Sequence, residues 1–377
     1  MKLLVICQYY YPEPFRISDI CEALVEKGHQ VTVLTGLPNY PEGKVLDSYR
    51  SGKNRKEVIN GVDVIRSFEI GRGNRKAKLL LNYFSFALSA SYKTLFMKEK
   101  FDAVFVNQLS PVMMGFPAMV YKKKHNKKML LYCLDLWPAS LAAGGIQKDS
   151  RIYQLFLHLS TWIYRSADQI AVSSTMFQSY LTETIGINTS TIVHLPQYAE
   201  TLFTEKVAVE KGNRFHFVFA GNIGEMQSVE TIIKAADILR NDAAIQFHIV
   251  GDGSKLEECK TLSGNLGLAN IIFHGRKPLH EMPNYYSLAD AMLITLKDDA
   301  ALSSTLPGKV QSYMAAGKPI IGAINGETSE VIKAAACGYC CEAENASELA
   351  NLIVRFCLSS DKEKMATNAY DYYGKHY

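Results

Sequence analysis

A chain of 377 residues is too long for one ordinary domain and comfortable for two. Apolar residues make up 48% and charged residues 21%, the balance of a globular protein, and a net charge of +4 is too mild to argue for a nucleic-acid partner. MKLLVICQYYYPEPF has no small-residue cleavage site of an export signal, and no run approaches the roughly 18 apolar residues of a spanning helix. Of the eight cysteines, Cys7, Cys133, Cys340 and Cys341 lie in apolar runs that read as strands, where a free thiol behaves as a small hydrophobe. CGYCC at 337–341 resembles half of a zinc knuckle without its second pair, so no metal is expected, and a reducing cytoplasmic location fits.

KLLVICQ (2–8) reads as a buried strand, followed by a helix from Ile17 to Lys27 with Ile17, Ile20, Cys21 and Leu24 on its core face. GHQVTVLTG (28–36), VDVIRS (62–67), AVFVNQ (103–108), KMLLYCL (128–134), QIAVSS (169–174) and TIVHLP (191–196) read as further strands. Helical patterns separate most of them. This alternation predicts a parallel sheet covered on both faces, with ligands bound beyond the C-terminal ends of its strands.

Three loops at those ends carry unusual residues. QYYYPEPFRIS (8–18) brings Glu13, Arg16 and Ser18; GLPNYPEGK (36–44) is stiffened by two prolines; LDLWPAS (134–140) sets Asp135 after a strand, with Trp137 offering a stacking face. Arg72, Arg75, Lys76 and Lys78 precede an apolar run, Leu79 to Leu88, that includes Phe84. Basic flanks with an aromatic apolar body suit an interfacial helix, and a second basic run at 122–128 is expected on the same side. YAETLFTEKVAVEKGNR (198–214) breaks the pattern. The expected domains are therefore 1–197 and 213–377, with a linker over 198–212.

The second half restarts the alternation. HFVFAG (216–221) is a strand running into the turn Gly221-Asn222, with Ser228 as the N-cap of the next helix. IQFHIVGDG (245–253) ends at Gly251-Asp252-Gly253 and NIIFHGRK (270–277) at Arg276-Lys277; AMLITL, PIIGAI and GYCCEA complete the strands. Glycine turns after strands let backbone approach a phosphate or ribose, although neither is a full G-x-G-x-x-G. In SSTLPGKVQSYMAAGKP, Pro307 and Gly308 stand where a helix would begin. Val310, Tyr313 and Met314 give that helix one apolar face, and its start gathers Ser303, Ser304, Thr305 and Lys309 beside unpaired N–H groups. That combination favours an anion such as a phosphate.

The succession FAGNIG, IVGDG, FHGRKPLHEMPNYYSLADAMLI and LPGKVQSYMAAGKPIIGAINGETSEVI resembles the nucleotide-binding half of family 4 glycosyltransferases. QYYYPEPFRISD, GHQVTVLTGLPNYPEGK and LDLWPAS resemble the branch that builds bacterial O-antigen and capsule units, including N-acetyl-L-fucosamine transferases. The resemblance covers essentially the whole chain. It implies the GT-B fold, two Rossmann-like domains facing across a cleft, and retention at the anomeric carbon. The implied partners are a nucleotide sugar, usually UDP-linked, and a polyprenyl-diphosphate-linked glycan at the inner face of the plasma membrane.

Carried over by position, Gly221 and Asn222 face the donor diphosphate and Arg276 and Lys277 hold the base. Lys309 and its helix N-terminus neutralise the leaving nucleoside diphosphate, while Glu13, Arg16 and Asp135 lie near sugar and acceptor. Where relatives carry two glutamates eight positions apart, this chain has Ser304 and Ser312; a glycine pair and a histidine usual in relatives are replaced near Phe15-Arg16 and by Leu134. No Asp-x-Asp pair is present, so no obligatory metal is expected. A UDP-sugar 2-epimerase of the same fold and a non-catalytic sugar-binding protein are the alternatives. Relatives usually continue past YDYYGKHY into a last helix that packs on the N-terminal domain, which makes a truncated end the expectation.

Overall fold

The computed structural model describes residues 1–73 and 75–377, and they fall into two compact units, Met1–Leu195 and Pro196–Tyr377. The first unit is built on eight strands: β1 (Lys2–Ile6), β2 (Gln30–Thr35), β3 (Lys56–Ile59), β4 (Val62–Arg66), β5 (Ala103–Gln108), β6 (Lys128–Cys133), β7 (Gln169–Val172) and β8 (Ile192–His194). They lie in the order β3-β4-β2-β1-β5-β6-β7-β8, parallel throughout except for β3, which runs antiparallel to β4. The order reverses direction between β1 and β5, so the loops after those two strands flank a topological switch point.

The second unit has six strands: β9 (Phe215–Ala220), β10 (Ile245–Val250), β11 (Ile271–Gly275), β12 (Ala291–Thr295), β13 (Ile320–Ala323) and β14 (Gly338–Cys341). Their order is β11-β10-β9-β12-β13-β14, all parallel, with the switch point between β9 and β12. Phe217, Phe219, Phe247 and Ile249 face one buried layer, under helices Val229–Ile238 and Ala346–Leu358. Val218, Ala220, Met292 and Ile294 face the other, which contains Val310, Tyr313 and Met314. Strands covered on both faces read as unbroken apolar runs, which is why β10 and β12 are buried at every position.

Several expectations change. The expected linker belongs to the second unit: Phe203 is buried and stacks on Tyr286 at 4.8 Å, so one apolar residue inside the charged stretch docks it. Helix Gly308–Ala315 is buried along its whole length from Val310, not on one face only. Ser228 adopts a left-handed conformation and its hydroxyl bonds that of Thr231, so it caps no backbone N–H. Helix Lys362–His376 packs Ala369 into the second unit's own core. In the basic run, Lys122 and Lys128 pair with Asp168 at 2.7 and 3.0 Å, and Lys124 donates to the carbonyls of Leu95 and Met97. Three of those lysines are thereby held within the unit.

Across β9, β10 and β11 runs a chain of imidazoles: His216 Nδ1 to His248 Nε2 and His248 Nδ1 to His274 Nε2, both 2.9 Å. Burial holds all three below the ordinary value of 6.5, His248 at about 4; Asp290, Lys211 and Arg214 act on His216, and Lys277 on His274. The fold therefore prefers the neutral rings, while the unfolded chain protonates near 6.5. Their contribution is whole above that pH and is lost as pH falls toward about 4. The urea midpoint is expected to drop between about pH 7 and about pH 5, which bracket the unfolded histidine value, less in His248→Gln; equal slopes for the two proteins would contradict this.

Candidate functional site

In the second unit the C-terminal ends of β9, β10 and β11 are drawn together by their backbones. The Gly221 N–H donates to the Val250 carbonyl and the Gly251 N–H to that of Gly275, both 2.9 Å. Gly221 and Gly251 have φ of 146° and 143°, and a Cβ on Gly251 would run into the Gly221 carbonyl oxygen. A Cβ on Gly253 would meet the Ile223 carbonyl and, at 2.7 Å, Asn222 Oδ1. The two glycine turns seen in the sequence are thus one surface. Asn222 Nδ2 and the Gly224 N–H both donate to Gln227 Oε1, at 3.0 and 3.2 Å, and Asp252 Oδ1 accepts from the Gly253 N–H at 2.7 Å.

Lys309, in the first turn of helix Gly308–Ala315, reaches this surface. Its Nζ is 3.0 Å from where a Gly221 Cβ would sit and 4.1 Å from the centre of the Phe219 ring. The nitrogen is buried and has no hydrogen-bond partner among the described residues; burial pulls its pKa down to about 7. A buried cation without a counter-charge is unfavourable unless something outside the chain completes it. The glycine surface and the lysine lie together at the β9/β12 switch point, where an anion would supply the counter-charge the lysine lacks among the described residues.

The other expected donor residues divide. Ser304 and Thr305 donate their hydroxyls to the carbonyls of Ala300 and Ala301, at 3.0 and 3.1 Å, and the Ser303 carbonyl lies against Gly326. The hydroxyl protons of Ser304 and Thr305 therefore face their own helix, not an incoming anion. Arg276 is exposed just beyond β11, and Lys277 lies 3.8 Å from Glu281 and 6.0 Å from the Tyr285 ring centre.

In the first unit, Glu13 is 5% exposed and its carboxylate accepts from the backbone N–H groups of Asn39 (2.8 Å), Tyr40 (2.7 Å) and Tyr10 (3.3 Å). It fastens the first loop to the second, with burial pushing its pKa up to about 7 against those bonds. Arg16 is half-buried at the start of helix Ile17–Glu26. Asp135 Oδ2 accepts from the Trp137 indole N–H at 3.1 Å, and burial raises its pKa. Trp137 is 1% exposed: its ring is wedged edge-on against Tyr83 and Phe156 (6.2 and 5.5 Å), so it is a core anchor and offers no stacking face. An indole whose N–H finds partners on both Ser110 and Asp135 fills that space best inward.

Arg72 donates its N–H to Asn39 Oδ1 at 3.0 Å and rests its guanidinium over Tyr40. Arg75 and Lys78 are exposed at the start of helix Lys76–Phe96, and Phe84 is half-exposed, 6.4 Å from Phe156; the Lys76 side chain lies outside the described residues. Sequence reasoning missed a buried amide cluster around Glu69. The Glu69 carboxyl accepts from Gln8 (2.7 Å), Asn39 (3.3 Å), Asn82 and the Leu37 N–H (3.2 Å), and burial pushes its pKa up to about 8. An Asn at 82 inside an apolar helical run was the available signal.

Comparison with known proteins places both units. Residues 15–197 match the family model described as glycosyl transferase 4-like domain, and residues 202–372 match glycosyl transferases group 1. The chain is 29% identical over 259 residues to the probable glycosyltransferase WbjE of Pseudomonas aeruginosa, 65% of this chain and 63% of that protein's length. It is 25% identical over 338 residues to the putative colanic acid biosynthesis glycosyl transferase WcaI of Escherichia coli K12, 84% of this chain and 82% of that one. The crystal structure of HepE from Anabaena in complex with UDP and glucose superposes with a TM-score of 0.73 at 15% identity, covering 100% of this chain and 95% of that one.

Proposed function

We propose, of a chain that belongs to the glycosyltransferases of GT-B type, that it moves a sugar from a UDP-linked donor to a lipid-linked glycan during assembly of a bacterial surface polysaccharide, with retention at the anomeric carbon. The observation that carries the donor half is the Lys309 amine, without a hydrogen-bond partner among the described residues, beside the Gly221 turn. When the sugar's bond to the diphosphate breaks, negative charge grows on the departing phosphate. Preorganised cations and N–H groups stabilise such charge most where water is excluded. An incoming diphosphate raises the pKa of Lys309 from about 7, so the amine is charged when the donor is bound. On this reading the lysine and the helix start take the place of a divalent metal. The colanic acid and HepE relatives support polysaccharide chemistry and UDP, respectively.

The acceptor half rests on the first unit's surface. On helix Lys76–Phe96, Leu81, Leu88 and Leu95 are 54%, 70% and 49% exposed; on helix Arg151–Ser166, Ile152, Leu155 and Trp162 are exposed as well. Phe84 and Phe156 join the two helices. No helix among the described residues is long and apolar enough to cross a membrane. Apolar rows flanked by Arg75, Lys78 and Arg151 suit a helix pair lying on an anionic lipid surface, here the cytoplasmic face of the plasma membrane.

The test is release of UDP from a panel of UDP-sugars with and without a lipid-linked acceptor extract, in EDTA. Release that requires the acceptor and survives EDTA is expected. Release without acceptor would favour the epimerase reading, and activity abolished by EDTA and restored by Mn²⁺ would refute the metal-free mechanism.

A further inference from the structure

We propose that a cavity of about 400 Å³ in the first unit, between the 43–55 segment and the start of helix Lys76–Phe96, seats the diphosphate of a prenyl-diphosphate-linked acceptor. The assignment rests on the acceptor class proposed above and gives it a location. The cavity opens beyond the C-terminal ends of β2 and β4, the side of a doubly wound sheet where ligands bind.

Charge is the first argument. Lys44, Arg50, Arg55 and Lys78 line the cavity, and among the described residues only Arg50 has a carboxylate partner, Asp47 at 2.6 Å. Arg55 is half-buried, its one side-chain hydrogen bond among the described residues a long one (3.4 Å) to the Ser67 carbonyl, and burial lowers its pKa. Lys93, on the same helix as Lys78, is pushed down by burial and by repulsion from Arg55 and Lys56. Uncompensated positive charge of this density is what a multiply charged anion relieves, and guanidinium and ammonium groups are the usual partners of phosphate. Glu69 at the floor is turned inward: its oxygens are occupied by the amides of Gln8, Asn39 and Asn82 and the Leu37 N–H, and burial raises its pKa to about 8.

Shape is the second. One wall is Phe68, 56% exposed, and Ile70, 37% exposed. This wall is fixed to the helix: the Ile70 N–H donates to Ser85 Oγ at 3.0 Å, and Ser89 donates to the Phe68 carbonyl. Leu81, Leu88 and Tyr92 recur at i, i+7 and i+11 on the helix face that also carries Ser85, and are 54%, 70% and 67% exposed. An apolar row thus starts at the rim of a cationic pocket. An anion carrying a long hydrocarbon chain matches both; a free phosphate matches only the first.

The experiment measures binding of farnesyl diphosphate, inorganic pyrophosphate and farnesol to the full chain, with UDP in parallel. Farnesyl diphosphate is expected to bind at least about tenfold more tightly than either fragment. Lys44→Ala/Arg55→Gln/Lys78→Ala is expected to weaken it about tenfold or more, leaving UDP affinity unchanged. Lys78→Ala alone, at an exposed helix position, weakens it in the same direction and covers the case in which the triple variant misfolds. Equal binding of pyrophosphate, equal binding of farnesol, or farnesyl diphosphate affinity unaltered in both variants overturns the assignment. Failure of UDP to bind the wild-type chain would instead remove the donor reading and leave this one standing.

Discussion

Lys309→Met is expected to lower turnover at saturating donor by about 10²–10³-fold, the usual loss when one transition-state donor is removed, while the protein remains folded and melts at a higher temperature. The two effects have one cause. The amine is buried over Phe219 without a hydrogen-bond partner among the described residues, and its pKa falls from 10.5 to about 7. A cationic group with a depressed folded pKa is carried more easily neutral by the fold, so stability declines as pH drops from 10.5 toward about 7 and stays low below that. Methionine keeps the length, drops the charge and removes that slope. On the proposed reading it also removes the counter-charge for the leaving diphosphate, so the rise in melting temperature on adding UDP should shrink or vanish. Unchanged turnover would take Lys309 out of the site. An unchanged UDP shift would also remove Lys309 from diphosphate binding.

Trp137→Ala carries the largest expected stability loss, about 3–5 kcal/mol for truncating a buried tryptophan. Its ring separates Tyr83 from Phe156, and so pins helix Lys76–Phe96 to helix Arg151–Ser166; its N–H serves Ser110 and the half-buried Asp135. Alanine leaves a cavity between the two helices and deprives Asp135 of a donor. Trp137→Phe keeps most of the volume and loses only the N–H, so it should fall between wild type and alanine. Chemical unfolding followed by circular dichroism checks the order, with UDP binding expected to persist because the second unit has its own core. A Trp137→Ala protein as stable as wild type, with acceptor use lost, would restore the stacking role that its burial excludes.

The architecture was legible because buried parallel strands announce themselves as short apolar runs, several of them closed by glycine. KLLVICQ, HFVFAG and IQFHIVGDG became β1, β9 and β10 with little shift in their ends. The hairpin strand KEVI escaped because an edge strand alternates exposed and half-buried residues and has no apolar run to show. At the site, Lys309 and the two glycine turns could be read because their chemistry is local: backbone freedom and a helix start. Glu13 could not, since its three partners are backbone amides, two of them 26 and 27 residues away. Ser304 and Thr305 looked like ligand donors in sequence and turn back on their own helix in space. Composition says which groups a loop owns; the direction each one points is decided by neighbours far along the chain.

Because Gly251 and Gly253 leave no room for even a methyl group against the Gly221 and Ile223 carbonyls, no side chain can be added at either position without moving the neighbouring turn. Arg276, exposed just beyond β11, lies under no such constraint. On the reading proposed above, the turn that would hold a diphosphate is thus fixed by backbone contact, and any variation in what is bound falls to the side chains around it.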